Sequence, residues 1–162
     1  MEDGIMSHLF APKKLEFKKL TPNATLPSRG RPTDAGLDIK CTEVTETSDY
    51  IEYSTGLAVK IPRGYTGLLF PRSSISNYHL SLCNSVGVVD HGYLGEIKFR
   101  FNKVLPQGPS GTLYTGEHKL YEIGDRIGQL IVLPIPEFYA IETDDLGDSI
   151  RGGQGFGSSG VK

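Results

Sequence analysis

Glu96-Ile97-Lys98-Phe99-Arg100-Phe101 alternates strictly between charged and apolar residues. Side chains along a β-strand point to opposite faces in turn, so this stretch has one wet face and one packed face. Similar signals recur on both sides of it. Leu15–Leu20, Gly36–Cys41, Tyr50–Ile61, Gly67–Phe70, Ser81–Val89, Tyr93–Phe101 and Arg126–Leu133 read as strands, bounded by Gly, Pro, Asn or Asp. Glycine or proline interrupts nearly every ten-residue window, which leaves room for at most one short helix, at Ser74–Leu80. Many short strands with turn residues between them predict an all-β sandwich or barrel-like domain. Ser81–Val89 and Tyr93–Phe101 are expected to meet as a hairpin at the turn holding Asp90 and Gly92.

The chain has 162 residues, 20 of them glycine and 10 proline, with a formal net charge of −2. At roughly 150 residues per domain this is one domain, long enough to bury a core without covalent staples. Two cysteines, Cys41 and Cys83, are too few for a disulfide framework, so free thiols and a reducing compartment are expected, with Cys83 a small buried residue. The near-neutral charge argues against a broad nucleic-acid or membrane surface. No apolar run approaches the roughly 18 residues of a membrane span, and Met1–Ala11 carries acids where a secretory signal has bases. A cytoplasmic protein is expected. Met1–Lys14 reads as an N-terminal extension, residues 15–150 as the β domain, Asn102–Lys119 as a long loop within it, and residues 151–162 as a glycine-rich tail.

Four segments carry candidate chemistry. The tail, Arg151-Gly-Gly-Gln-Gly-Phe156-Gly157-Ser158-Ser159-Gly160, contains a formal G-x-G-x-x-G, but the dinucleotide reading needs a following helix and only two residues remain. Its glycines would let backbone N–H groups approach an anion, Arg151 adds a fork for phosphate, and Phe156 could stack on a base; a solvated linker fits equally. Pro71-Arg72-Ser73-Ser74 at a strand end suits phosphate oxygens and is also ordinary turn chemistry. Asn84 through Glu96, with Gly87, Asp90 and Tyr93, is the hairpin segment, where an Asp is either structural or catalytic. In Gly124-Asp125-Arg126-Ile127-Gly128-Gln129 the Asp and Arg could simply pair with each other, and His91 is expected to face solvent.

The order and spacing of these segments, together with Ala35-Gly36-Leu37-Asp38-Ile39, resemble the five motifs of the trimeric deoxyuridine triphosphatase (dUTPase) family from about Leu15 to Gly160. The resemblance implies a distorted jelly roll of the β-clip kind and a homotrimer whose active sites are shared between subunits. It implies hydrolysis of dUTP to dUMP and pyrophosphate by water attack at the α-phosphorus, which keeps uracil out of DNA and supplies dUMP for dTMP synthesis. By motif position Asp90 is the catalytic aspartate, and Tyr93 packs under the deoxyribose. Asn84 and the Gly87 backbone read uracil. Arg72, Ser73, Ser74 and Gln129 contact phosphates. Arg151, Gly157, Ser158 and Ser159 close on the γ-phosphate, with Phe156 over the base. Mg²⁺ is implied as cofactor, held by phosphate oxygens and water with no direct protein ligand, and Asp38 acting through water or as a structural strand-end residue.

Gly92 and Ser74 stand where many family members have Asp and Gly. A related deaminase of dCTP shares the fold, but the places of its glutamate and second arginine are taken here by Arg100 and Asn77. A regulatory or binding protein that keeps the fold is the other alternative.

Overall fold

A computed structural model of the chain describes residues 13–104, 119–150 and 152–153. Nine strands follow one another: β1 (Glu16–Lys19), β2 (Leu37–Lys40), β3 (Glu43–Glu46), β4 (Ile51–Lys60), β5 (Tyr65–Phe70), β6 (Leu80–Leu82), β7 (Gly87–Val89), β8 (Glu96–Lys103) and β9 (Arg126–Pro134). Among the described residues one 3₁₀ helix, Ser73–Asn77, lies between β5 and β6.

The strands form two open antiparallel sheets. One runs β1-β4-β8-β6 with β3 also paired to β4, and the other runs β2-β9-β5-β7. Side chains from both sheets share one core that includes Ile39, Tyr53, Leu57, Leu69, Phe99, Phe101, Ile127 and Leu130. This two-sheet arrangement is the distorted jelly roll. In β8 the alternation resolves as the pattern demands: Ile97, Phe99 and Phe101 are buried, and Lys98 and Arg100 face outward. The two outward cations are matched across the ladder by Glu52 of β4, which accepts from Lys98 at 2.6 Å and Arg100 at 2.7 Å. The Lys98 hydrogen bond, seconded by Arg100, holds the Glu52 carboxyl below the usual range despite its partial burial.

Three strand expectations change. Ser81–Val89 is not one strand: it breaks into β6, which joins β8, and β7, which joins β5 in the other sheet. The break is a tight turn in which Ser85 takes φ 58° and the Val86 N–H returns to the Asn84 carbonyl at 2.5 Å. Asp90–Gly92 therefore does not close a hairpin between neighbours; it carries the chain from one sheet to the other. Tyr93–Gly95 belongs to that crossing, and β8 begins at Glu96 and runs on through Lys103. Glu43–Glu46, exposed at every position, pairs with β4 although it has no buried face to announce it.

The sheets come into tight contact where Phe99 of β8 lies over Gly128 of β9. A Cβ at position 128 would stand 2.2 Å and 2.5 Å from Phe99 ring carbons and 3.0 Å from the Phe70 carbonyl oxygen. Phe99 is 1% exposed and cannot retreat, so only a hydrogen fits. Gly128→Ala should therefore destabilise the fold by about 1–3 kcal/mol, read as a lower urea midpoint at unchanged slope.

Candidate active site

The end of β5 delivers Pro71 and Arg72, and the 3₁₀ helix starts immediately afterwards at Ser73. On the adjacent strands Asp38 of β2 and Gln129 of β9 are register partners, and Phe70 of β5 pairs with Gln129 on its other side. These pairings gather Asp38, Arg72, Ser73 and Gln129 around one cleft of about 510 Å³, whose lip is formed by Gly30, Arg31 and Asp34. The Gln129 amide donates to the Pro71 carbonyl at 3.2 Å. Gly36 opposite it is required, because a Cβ there would lie 2.1 Å from Gln129 Oε1 and 3.0 Å from its Cβ.

Asp38 sits at the centre of the electrostatics. Its Oδ1 accepts from Arg72 Nε at 2.9 Å and its Oδ2 from Arg126 at 3.0 Å. Only 13% of the Asp38 side chain is exposed, so the pairing with two guanidiniums offsets the cost of its desolvation. Arg72 also reaches the Ser74 hydroxyl at 3.4 Å. Asp125 does not pair with Arg126, against the sequence reading; it accepts the Glu122 N–H at 2.9 Å and closes the turn before β9. Arg126 was consequently missed as a lining residue, and nothing in a D-R dipeptide would have signalled it.

Asn84, Gly87 and Tyr93 do not join this cleft. They line a second one, of about 470 Å³, with Val89, Lys98 and Arg100, and the two clefts share no residue. Asn84 and Gly87 line it from either side of the strained Ser85, and Gly87 lies so close to Leu69 that a Cβ would stand 3.0 Å from it. The Tyr93 ring folds back over Gly95, where a Cβ would lie 2.5 Å from the phenol oxygen, and its hydroxyl donates to the Glu96 carbonyl at 3.0 Å. Asp90 follows directly on β7; it is exposed, and nothing among the described residues hydrogen-bonds its carboxylate. Its neighbour His91 is exposed as expected, yet its Nδ1–H donates to the Ile61 carbonyl at 2.8 Å and ties the crossing to the end of β4. Arg151, Phe156, Gly157, Ser158 and Ser159 lie outside the described residues.

A family model described as dUTPase matches residues 22–160. The chain belongs to the dUTPase family. The deoxyuridine 5'-triphosphate nucleotidohydrolase of Thermobifida fusca is 36% identical over 158 residues, covering 96% of this chain and 83% of that protein. The one from Escherichia phage T5 is 35% identical over 154 residues, covering 89% and 97%. Among solved structures, the dUTPase of Staphylococcus bacteriophage 80alpha with dUPNHPP superposes with a TM-score of 0.75 at 33% identity, over 93% of this chain and all of that one. A dUTPase from phage phi11 of S. aureus, described for its coordination of a structural Mg(II) ion, gives a TM-score of 0.66 at 28% identity, over 84% of this chain and 100% of that one.

Both Asp38 oxygens are taken by guanidiniums, and the described residues contain no cluster of three His, Cys, Asp or Glu able to hold an ion. Among the described residues no helix is long and apolar enough to cross a membrane.

Cys83 corrects a further expectation. It is exposed, with its thiol 3.2 Å from Asn102 Oδ1, whereas Cys41 is the buried one. Burial, opposed in part by a hydrogen bond to the Glu43 carbonyl, pushes the Cys41 thiol up to about 11. At pH 8 iodoacetamide should therefore add once to the native protein, at Cys83, and twice only after denaturation, as read by intact mass.

Proposed function

We propose that this protein hydrolyses dUTP to dUMP and pyrophosphate, with Asp90 directing water at the α-phosphorus. Membership of the dUTPase family makes it a nucleotide hydrolase. The single observation that carries the reading to residues is the pair of clefts, one gathering Arg31, Arg72 and Arg126, and one where Leu69, Val89 and Tyr93 stand beside Asn84 and Gly87, with Lys98 and Arg100 also lining it. A triphosphate suits the first and a uracil nucleoside the second.

In the proposed reaction a water oxygen forms a bond to the α-phosphorus as the bond from that phosphorus to the bridging oxygen breaks, and pyrophosphate leaves. A carboxylate is too weak a base to strip free water, with its pKa of about 15.7, in advance. Asp90 instead orients the water and takes its proton as the new bond forms. Its carboxylate is free of internal partners, which suits that task. Arg72, Ser73 and Gln129 hold phosphate oxygens, while Tyr93, set over Gly95, leaves no space for a 2′-hydroxyl. Mg²⁺ would sit on phosphate oxygens and water, with Asp38 in reach only through water; when bound it neutralises charge on the triphosphate. The phi11 relative, with its structural Mg(II), supports a role for the ion.

Because the phosphate and nucleoside clefts share no residue, one dUTP would take each from a different copy of the chain, in a homotrimer. The segment after β9 supports this. Phe138 and Tyr139 are each 88% exposed and Leu146 is 94% exposed, apolar surface that a lone chain leaves in water. Such an arm would carry residues 151–162 to a neighbouring site as a lid. Deamination of dCTP is opposed by Arg100, a cation engaged by Glu52, lining the nucleoside cleft. Since the 80alpha dUTPase structure is described in terms of control of virulence-gene transfer, a regulatory role alongside catalysis is the second reading.

Purified protein with Mg²⁺ should release pyrophosphate from dUTP and far more slowly from dCTP, dTTP or UTP; ammonia from dCTP would refute the reading. Asp90→Asn should bind dUPNHPP normally while kcat falls about 10²- to 10⁴-fold. A chain ending at Ile150 should lose turnover yet keep its oligomeric state in light scattering; full activity would exclude the lid.

A further inference from the structure

Arg126 and Gln129 lie three residues apart on β9, a spacing that sends side chains of a regular strand to opposite faces. Both nevertheless line the cleft of Arg72. The register accounts for this. Ile39 of β2 pairs with Gly128, but the next residue, Lys40, pairs with Arg126, so Ile127 is an extra residue in the ladder. A bulge of this kind bends the strand and re-aims a side chain. Here it keeps Ile127 fully buried in the core and turns Arg126 into the cleft beside Gln129.

The geometry of Asp38 then sets two guanidiniums side by side. Each carboxylate oxygen holds one of them, Arg72 at 2.9 Å and Arg126 at 3.0 Å. Of the five N–H donors of a guanidinium, Asp38 uses one on Arg126, and the Arg126 side chain remains 48% exposed. An ion pair that open contributes little to folding. Asp125, the acid nearest in sequence, is occupied with Glu122, so Arg126 shares the Asp38 carboxylate with Arg72. Around the cleft stand Arg31, Arg72 and Arg126 against Asp34 and Asp38, an excess of one positive charge before any anion arrives. Arg126 is thus a fixed, partly desolvated fork with donors to spare, in a cleft lined by none of the residues of the nucleoside cleft.

We propose that Arg126 is a substrate-binding residue for the pyrophosphate portion of the nucleotide, and that Asp38 is the positioning residue that spaces Arg126 from Arg72. This deepens the proposed dUTP hydrolysis and rests on it for the identity of the substrate. The assignment gives Asp38 a task different from action through metal-bound water: its carboxylate is consumed in holding two cations side by side.

The test is calorimetric titration of the full chain with inorganic pyrophosphate and, separately, with dUMP, both with Mg²⁺, which needs no turnover. Arg126→Gln should weaken pyrophosphate binding roughly 10- to 100-fold, the loss of charge-assisted hydrogen bonds, and leave dUMP binding within about twofold. Unchanged pyrophosphate affinity, or equal losses for both ligands, overturns the assignment. Arg126→Lys keeps a cation for Asp38 and is read the same way if the glutamine variant does not fold, with a smaller loss in the same direction. In an Asp38→Asn background the effect of Arg126→Gln should shrink; strict additivity overturns the positioning role of Asp38. Failure of the wild-type chain to release pyrophosphate from dUTP would defeat the proposed reaction, whereas normal release with an indifferent Arg126→Gln variant defeats this inference alone.

Discussion

The contact of Phe99 with Gly128 is the constraint on which both the core and the site depend. Phe99 comes from the most clearly amphipathic strand and fills the space between the sheets; Gly128 lets the opposing backbone come close enough to be touched by the ring. Around that point β9 cannot run as a regular strand, since its register against β2 shifts within the same few residues. Gly128 stands between Arg126 and Gln129, so the packing that seals the core also determines which polar side chains of β9 emerge on the cleft side. Close packing and site geometry are here one arrangement, because an interior at crystal-like density transmits the position of a ring to the backbone beside it.

The second organising element is charge. The interior side of β8 is wholly apolar, and its exterior cations are answered across the sheet by Glu52. At the opposite sheet Asp38, whose side chain is as far withdrawn from water as that of Glu52, is shared between two arginines, one just past β5 and one on β9. The first arrangement is a cross-strand network whose two cations lie on the outer face of a sheet. The second is a partly buried three-membered cluster that lines a cleft and leaves Arg126 half exposed there.

Much of this was legible beforehand. The period-two pattern of residues 96–101 and the spacing of turn residues give the strands around them, because alternation reflects a local property, the pleat. The five motif segments named Arg72, Asp38 and Gln129 without any contact being known. Other features were not legible. The Ser81–Val89 run looks like one apolar strand, and only the left-handed Ser85 splits it between two sheets. Glu43–Glu46 carries no periodic signal because neither face is buried, and its pairing to β4 follows from what lies beside it. Cys83, a residue type usually found inside, is exposed because it stands just ahead of the turn between β6 and β7, at the second cleft.

The amino-acid sequence by itself determined that the chain folds as short strands, that its chemistry lies in a few turn-flanked segments, and which family it resembles. These are consequences of local pattern and of residue order, and both can be read along a line. Tertiary structure decided which segments share a cleft, that Asp38 joins Arg72 to Arg126, and that Asn84, Gly87 and Tyr93 line a cleft with no residue in common with theirs. Those depend on sheet pairing, on one extra residue in a ladder and on the close approach at Gly128, contacts between positions far apart in the chain that no local pattern encodes.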